Sequence, residues 1–271
     1  MSRGRPAPEG DRYLFPREPR ELDRLDVQHY ALREALGANY LAPLRHPASI
    51  LDVGSGTGRW ACDLCGEFPG ALVVGFDLVP GRGDRPVNYR FVRGNVLHGL
   101  PFLEGSFDFV HQRLLAASGI PLTSWSGVVG ELVRVTRPGG WVELVEVDPW
   151  LEPAGPAGRQ LFELAWKLGR SRGIDMAGTI FRSLDLHLRR AGLMDVARHE
   201  VRIPIGEWGG RIGSLMGSNL RALFAGLCAP FQERFGLAPA ECCQLLTAMQ
   251  REWEELHSAG PFAVAYGRRP D

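Results

Sequence analysis

The spacing of apolar positions changes period repeatedly along the chain, dividing it into alternating helical and extended segments. From Glu21 to Leu36, Leu22, Leu25, Leu32 and Leu36 recur near helical spacing with His29 in the same series, which predicts a helix. Ser49 to Val53 is a short apolar run, predicted as a strand, that enters Gly54-Ser55-Gly56-Thr57-Gly58. Arg59 to Phe68 then has helical character and stops at Pro69-Gly70, and Ala71 to Phe76 is a second buried strand ending at Asp77. Strand, glycine turn, helix and strand in succession make the first βαβ unit of a parallel sheet.

The alternation continues. Val87 to Val92 and Phe107 to His111 are predicted strands, Thr123 to Thr136 a helix, and Trp141 to Val147 a fifth strand after a Pro138-Gly139-Gly140 turn. Residues 155–173 and 178–191 read as helices, Val196 to Ile205 as a long strand, Arg211 to His257 as mostly helical, and Phe262 to Tyr266 as the last strand. The expected fold is α/β: a Rossmann-like, doubly wound, seven-stranded and mostly parallel sheet with its last strand antiparallel. The later helical material exceeds what crossovers need, so cap insertions are expected around 151–190 and 206–260, within one domain running from 21 to 271. Residues 1–20, with Pro6, Pro8, Pro16 and Pro19, read as a flexible arm.

Composition narrows the partners. The 271 residues are 45% hydrophobic, enough for a sizeable core, and the 31 basic and 31 acidic side chains cancel. No overall field attracts nucleic acid or an anionic membrane, and no apolar run is long enough to span a bilayer. The first residues contain no apolar stretch of the secretory type, so a cytoplasmic location is expected. Five cysteines do not suggest a disulfide framework. Cys62 and Cys65 have CxxC spacing within a predicted helix but no second pair at zinc-site spacing, so no metal is expected. These two, and Cys228, Cys242 and Cys243, are expected as free thiols.

The chemistry is concentrated at the glycine turn. Glycines at 54, 56 and 58 let the backbone turn sharply and approach a ligand, and the helix that follows offers free N–H groups. Nicotinamide-dependent oxidoreductases place G-x-G-x-x-G here; this chain has G-x-G-x-G. Asp77 lies where an acidic side chain can accept hydrogen bonds from both ribose hydroxyls of an adenosine, or cap a turn. Ligands bind at the carboxyl ends of parallel strands, which singles out His111 and Gln112 after the fourth strand and Glu146 and Asp148 after the fifth. His111 is a candidate to take a proton or hydrogen-bond a ligand, and Glu146 to orient a substrate group or act as base.

Several further motifs occur in a fixed order: Arg24-Leu25-Asp26-Val27-Gln28-His29, Val74-Gly75-Phe76-Asp77-Leu78, Gly94-Asn95-Val96, Leu100-Pro101-Phe102, Ser106-Phe107-Asp108-Phe109-Val110-His111 and Arg137-Pro138-Gly139-Gly140-Trp141. With the glycine turn, they make the stretch from Asp23 to Glu146 resemble class I S-adenosylmethionine-dependent methyltransferases. Within these it is most similar to the branch containing the fungal secondary-metabolism regulator LaeA and similar bacterial enzymes. The resemblance implies S-adenosylmethionine as cofactor, with Asp52 and the turn residues Gly54, Ser55, Gly56, Thr57 and Gly58 around its methionine part. Asp77 would bind the ribose, Leu78 would pack on the adenine, and Asn95, where many relatives have Asp, would accept the adenine amino group next to Val96. Arg24, Gln28 and His29 would close over the cofactor, Arg24 toward its carboxylate.

Because the sulfonium is already electrophilic, positioning the nucleophile and excluding water is most of the task, and a general base is optional. The expected acceptor is a small molecule, a secondary metabolite in particular. A macromolecular substrate or a regulator acting in a complex is the alternative, as is cofactor binding without methyl transfer. The sequence leaves the acceptor atom and the oligomeric state open, a homodimer included.

Overall fold

The computed structural model describes residues 19–271. The arm expected over residues 1–20 therefore lies almost wholly outside the described residues. Helix α1 (Pro19–Leu36) leads into β1 (Ser49–Val53), α2 (Arg59–Glu67), β2 (Leu72–Asp77), β3 (Tyr89–Arg93), β4 (Phe107–Arg113), α3 (Trp125–Val135) and β5 (Thr136–Val147). After these come α4 (Pro156–Ser171), α5 (Thr179–Arg182), α6 (Leu184–Arg190), β6 (Met194–Pro204), α7 (Gly210–Phe235), α8 (Pro239–Leu256) and β7 (Ala259–Arg268).

The sheet order is β3-β2-β1-β4-β5-β7-β6. All strands run parallel except β7, which is antiparallel to both neighbours, as expected from the sequence. The order reverses between β1 and β4, so their carboxyl ends splay apart and leave the crevice where such sheets bind ligands.

Because side chains alternate across a strand, the central strands feed separate cores on the two faces. Leu51, Val53, Val110, Val142 and Leu144 point to one face, where they meet Trp125, Val128 and Leu132 of α3 and Ile180, Leu184 and Leu188 of α5 and α6. Ile50, Val73 and Phe109 point to the other and meet Trp60, Ala61 and Leu64 of α2. A third cluster joins Leu161 and Ala165 of α4, Phe224 and Leu227 of α7, and Met249 and Trp253 of α8 to Ala31 and Leu32 of α1. Helix α6 thus packs on the sheet, whereas α4, α7 and α8 form a separate helical layer against α1.

Four local features differ from the sequence reading. Strand β4 runs two residues past His111, to Arg113. The Pro138-Gly139-Gly140 segment does not precede β5 but is an irregularity within it, with Gly139 at φ +72°. The helix expected over 178–191 breaks at Ser183.

The expectation of free thiols fails for one pair, because Cys228 and Cys242 are joined in a disulfide. Gly236, left-handed at the end of α7, turns the chain so that α8 folds back along it and brings the two Cα atoms to 6.0 Å. No described helix is long and apolar enough to cross a membrane.

Denatured without reductant, the protein should present only Cys62, Cys65 and Cys243 to a thiol reagent. Titration of all five cysteines before reduction would contradict the pairing.

Candidate functional site

At the carboxyl end of β1 the chain enters its glycine turn with Gly54, Gly56 and Gly58 all in the left-handed region, at φ +76°, +52° and +76°. At Gly54 a side chain is excluded twice over, since a Cβ would also lie 2.5 Å from Leu115. The Gly56 N–H donates to Asp77 Oδ2 at 2.8 Å, tying the turn to the end of β2. Burial pushes the Asp77 carboxyl above its ordinary range, against hydrogen bonds from Gly56 and its own turn. From the loop before β3, Arg85 donates to the Thr57 carbonyl at 2.7 Å and holds the turn from below.

A cavity of about 350 Å³ lies between this turn, α1 and the carboxyl ends of β2 and β4. Of the residues singled out from the sequence, Arg24, His29, Asp52, Gly54, Ser55, Gly56, Thr57, Asp77, Leu78, Asn95 and Val96 line it. Gly58, Gln112, His111 and Glu146 do not; Gly58 instead supports the turn as the residue before α2. Leu78 is 38% exposed and lines the cavity, leaving apolar surface open there. Asn95 Oδ1 accepts from Leu97 N at 3.0 Å, which leaves a second lone pair on the same oxygen.

Two residues of α1 reach the cavity in different electrostatic states. Arg24 is buried and directs Nε and Nη2 to the Glu21 carboxylate at 2.7 and 2.6 Å, and Nη1 to Asn219 Oδ1 at 2.7 Å. His29 lies between Arg113 Nη2, 3.2 Å from Nδ1, and Asp63 Oδ2, 3.1 Å from Nε2. A guanidinium can only donate, so Nδ1 must be the acceptor and Nε2 carries the proton toward Asp63. Burial lowers the pKa of His29, which agrees with this neutral ring.

His111 and Glu146 point to opposite faces of the sheet and cannot act together. His111 is stacked on Trp60 at 3.8 Å, with Nδ1 3.2 Å from Asp52 Oδ1 and Nε2 3.9 Å from Glu143 Oε1. Glu146 Oε1 accepts from Gln112 Nε2 at 2.9 Å and from the N–H groups of Leu115 and Ala116 at 2.8 and 3.0 Å. Its carboxylate therefore fixes the loop that follows β4, including Leu115, which lines the cavity. Both side chains stand behind the cavity lining, where Asp52 and Trp60 hold His111 and Gln112, Leu115 and Ala116 hold Glu146, in the geometry of positioning residues.

Sequence reasoning did not single out Arg113, Arg85, Asn219 or Leu223 as site residues. Arg113 and Leu223 line the cavity, and the other two brace residues that do. Arg113 had a local signal, since it continues the alternation of Phe109 and His111 for one more step.

Burial raises Glu146 to about 7, outweighing its hydrogen bonds. A carboxyl whose folded pKa lies above its ordinary 4.5 contributes stability that is complete below about pH 4.5 and lost as the pH rises through about 7. Glu146→Gln should flatten the fall in unfolding free energy between those pH values by up to about 3 kcal/mol; denaturant melts in which the variant and parent fall in parallel would contradict the assignment. Asp77→Ala should weaken S-adenosylhomocysteine binding by about 1–3 kcal/mol in calorimetry. Unchanged affinity would remove Asp77 from the site.

Comparison with known proteins places the chain among methyltransferases. Residues 50–140, which carry the glycine turn, Asp77, Asn95 and the ends of β4, match a methyltransferase domain model. Methyltransferase pytC of Aspergillus terreus is 32% identical over 95% of this chain and 83% of its own length. The secondary metabolism regulator laeA of Aspergillus fumisynnematus is 31% identical over 72% of this chain, which spans about half of that protein (54%). The structure of Haemonchus contortus phosphoethanolamine N-methyltransferase 2, solved with phosphomonomethylethanolamine and S-adenosylhomocysteine, has the same fold. It superposes with a TM-score of 0.54 at 14% identity, covering 96% of this chain and 55% of that one. The chain belongs to the class I S-adenosylmethionine-dependent methyltransferases, in the group related to LaeA.

Proposed function

We propose that this methyltransferase acts on a small-molecule acceptor, bound beside the cofactor under a cap made by α1 and the α4, α7 and α8 layer. The observation that carries this reading is the mixed character of the cavity. The lining combines the polar groups of the glycine turn, Asp77 and Asn95 with an apolar wall of Leu114, Leu115, Ile120, Val147 and Leu223, which starts at Gly54 where Leu115 packs. A compact apolar recess beside a polar cradle suits a metabolite with an apolar body better than a polymer chain.

The polar groups fit S-adenosylmethionine. Without a side chain, Gly56 leaves open space below Leu25, whose nearest carbon would lie 3.6 Å from an added Cβ, and Asp77 turns a half-buried carboxylate toward the same place. Gly54, Ser55, Gly56 and Thr57 would hold the amino-acid portion, Asp77 the ribose, and Leu78, Asn95 and Val96 the adenine. When bound, the cofactor supplies an electrophilic methyl group. What this chain contributes is orientation and the exclusion of water by Leu114, Leu115, Ile120 and Leu223.

The test is incubation with methyl-labelled S-adenosylmethionine and a fractionated extract of the source organism, with Gly56→Val as the control. That variant places a β-branched side chain at a left-handed position in the cradle and should bind no cofactor. Label in the small-molecule fraction, absent from the control, is expected. Label confined to protein or nucleic acid would contradict the proposal and favour the macromolecular reading that the likeness to laeA raises.

A further inference from the structure

Among the described residues three arginines border the cavity, and they differ in what neutralises them. Arg24 is held by the Glu21 carboxylate and Asn219, as described. Arg59 projects from the start of α2, 46% exposed, with Asp26 at 3.8 Å. Arg113 forms no ion pair among the described residues, and its one hydrogen bond goes to an uncharged imidazole nitrogen.

Each carboxylate around Arg113 bonds to other groups and none bonds to it, although Glu143 Oε1 has no hydrogen-bond partner among the described residues. Asp52 accepts from His111, Glu143 from the N–H groups of Leu41 and Ala42, and Asp63 from His29 and Arg33. Burial is the largest influence on the guanidinium and lowers its pKa, only partly offset by those more distant carboxylates. The guanidinium, partly buried, faces the cavity without a bonded anion, and its forked donors match a carboxylate in two-point fashion.

Its position says which carboxylate. In the parallel register of β1 and β4, Val53 lies opposite Gln112, so the next residue, Arg113, stands level with the start of the glycine turn at Gly54. It is therefore beside the end of the cavity assigned above to the amino-acid portion of the cofactor. Asp52, of opposite charge, lines the same end from the neighbouring strand. A cation and an anion side by side complement a zwitterionic α-amino acid group.

We infer that Arg113, and not Arg24, binds the α-carboxylate of the cofactor, with His29 in its Nε2–H tautomer positioning the guanidinium. This inference rests on the cofactor site proposed above.

The test compares two ligands by calorimetry: S-adenosylhomocysteine, and its decarboxylated analogue, which keeps the thioether and the amine. The parent protein should prefer the first. Arg113→Met should weaken S-adenosylhomocysteine on the order of 10- to 100-fold, as expected for a lost charge-assisted contact, while leaving the analogue's affinity nearly unchanged. Arg113→Lys, which keeps the charge and tests the assignment should the Met variant fail to fold, should lose part of the preference. Arg24→Met should shift both ligands equally. An Arg113 variant that keeps the full preference, or loses both ligands to the same degree, overturns the inference, as does loss of the preference in Arg24→Met. Failure of the parent to bind either ligand would instead sink the cofactor site itself, and this assignment with it.

Discussion

The imidazole of His29 joins α1 to two elements beneath it, accepting from Arg113 at the end of β4 and donating to Asp63 on α2. Everything on the upper side of the cavity depends on where α1 lies, because Leu22, Arg24, Leu25, Gln28 and His29 all belong to it. The helix is held from above as well, by Asn219 of α7 on Arg24 and by the packing of Ala31 and Leu32 into the helical layer. Its placement thus couples the binding end of the sheet to the separate layer of α4, α7 and α8. A ring that must remain neutral to accept from a guanidinium is suited to this join, since protonation would set two cations against each other.

Buried carboxylates do the same work around the rest of the site, each accepting backbone N–H groups that would otherwise be unsatisfied. Glu143 takes those of Leu41 and Ala42 and anchors the chain that returns from α1 to β1. Asp108 takes those of Ala48 and Ser49 at the start of β1, and Glu146 those of Leu115 and Ala116 beside the cavity. Farther out, Glu252 caps α4 through Ala157 and Gly158. Loops beside the cavity are thus tied to the sheet and its neighbours by side-chain carboxylates as well as shaped by their own turn bonds.

This division explains what the sequence could and could not reveal. The glycine turn, Asp77 and Asn95 are legible because their roles follow from a strand end and a few residues of turn. The doubly wound sheet is legible in the alternation of strand and helix, whereas its strand order emerges only in the structure. His111 and Glu146 stood at the expected strand ends, yet the face each presents is set by register, which a sequence pattern locates only to within a residue or so. Arg24's partner on α7 lies 195 residues away, and the Cys228–Cys242 pairing depends on how α8 folds back on α7, so neither has a local signature. Arg113 was hidden for a simpler reason: β4 extends past the apolar run that defined it.

Hydrogen exchange with and without S-adenosylhomocysteine tests the central claim most directly, namely that the cofactor lies between α1 and the glycine turn and that α1 closes on it. The account predicts added protection in residues 22–29 and 54–58 together, and at the end of β4. Protection confined to the turn, with α1 exchanging as fast as in the free protein, would contradict it.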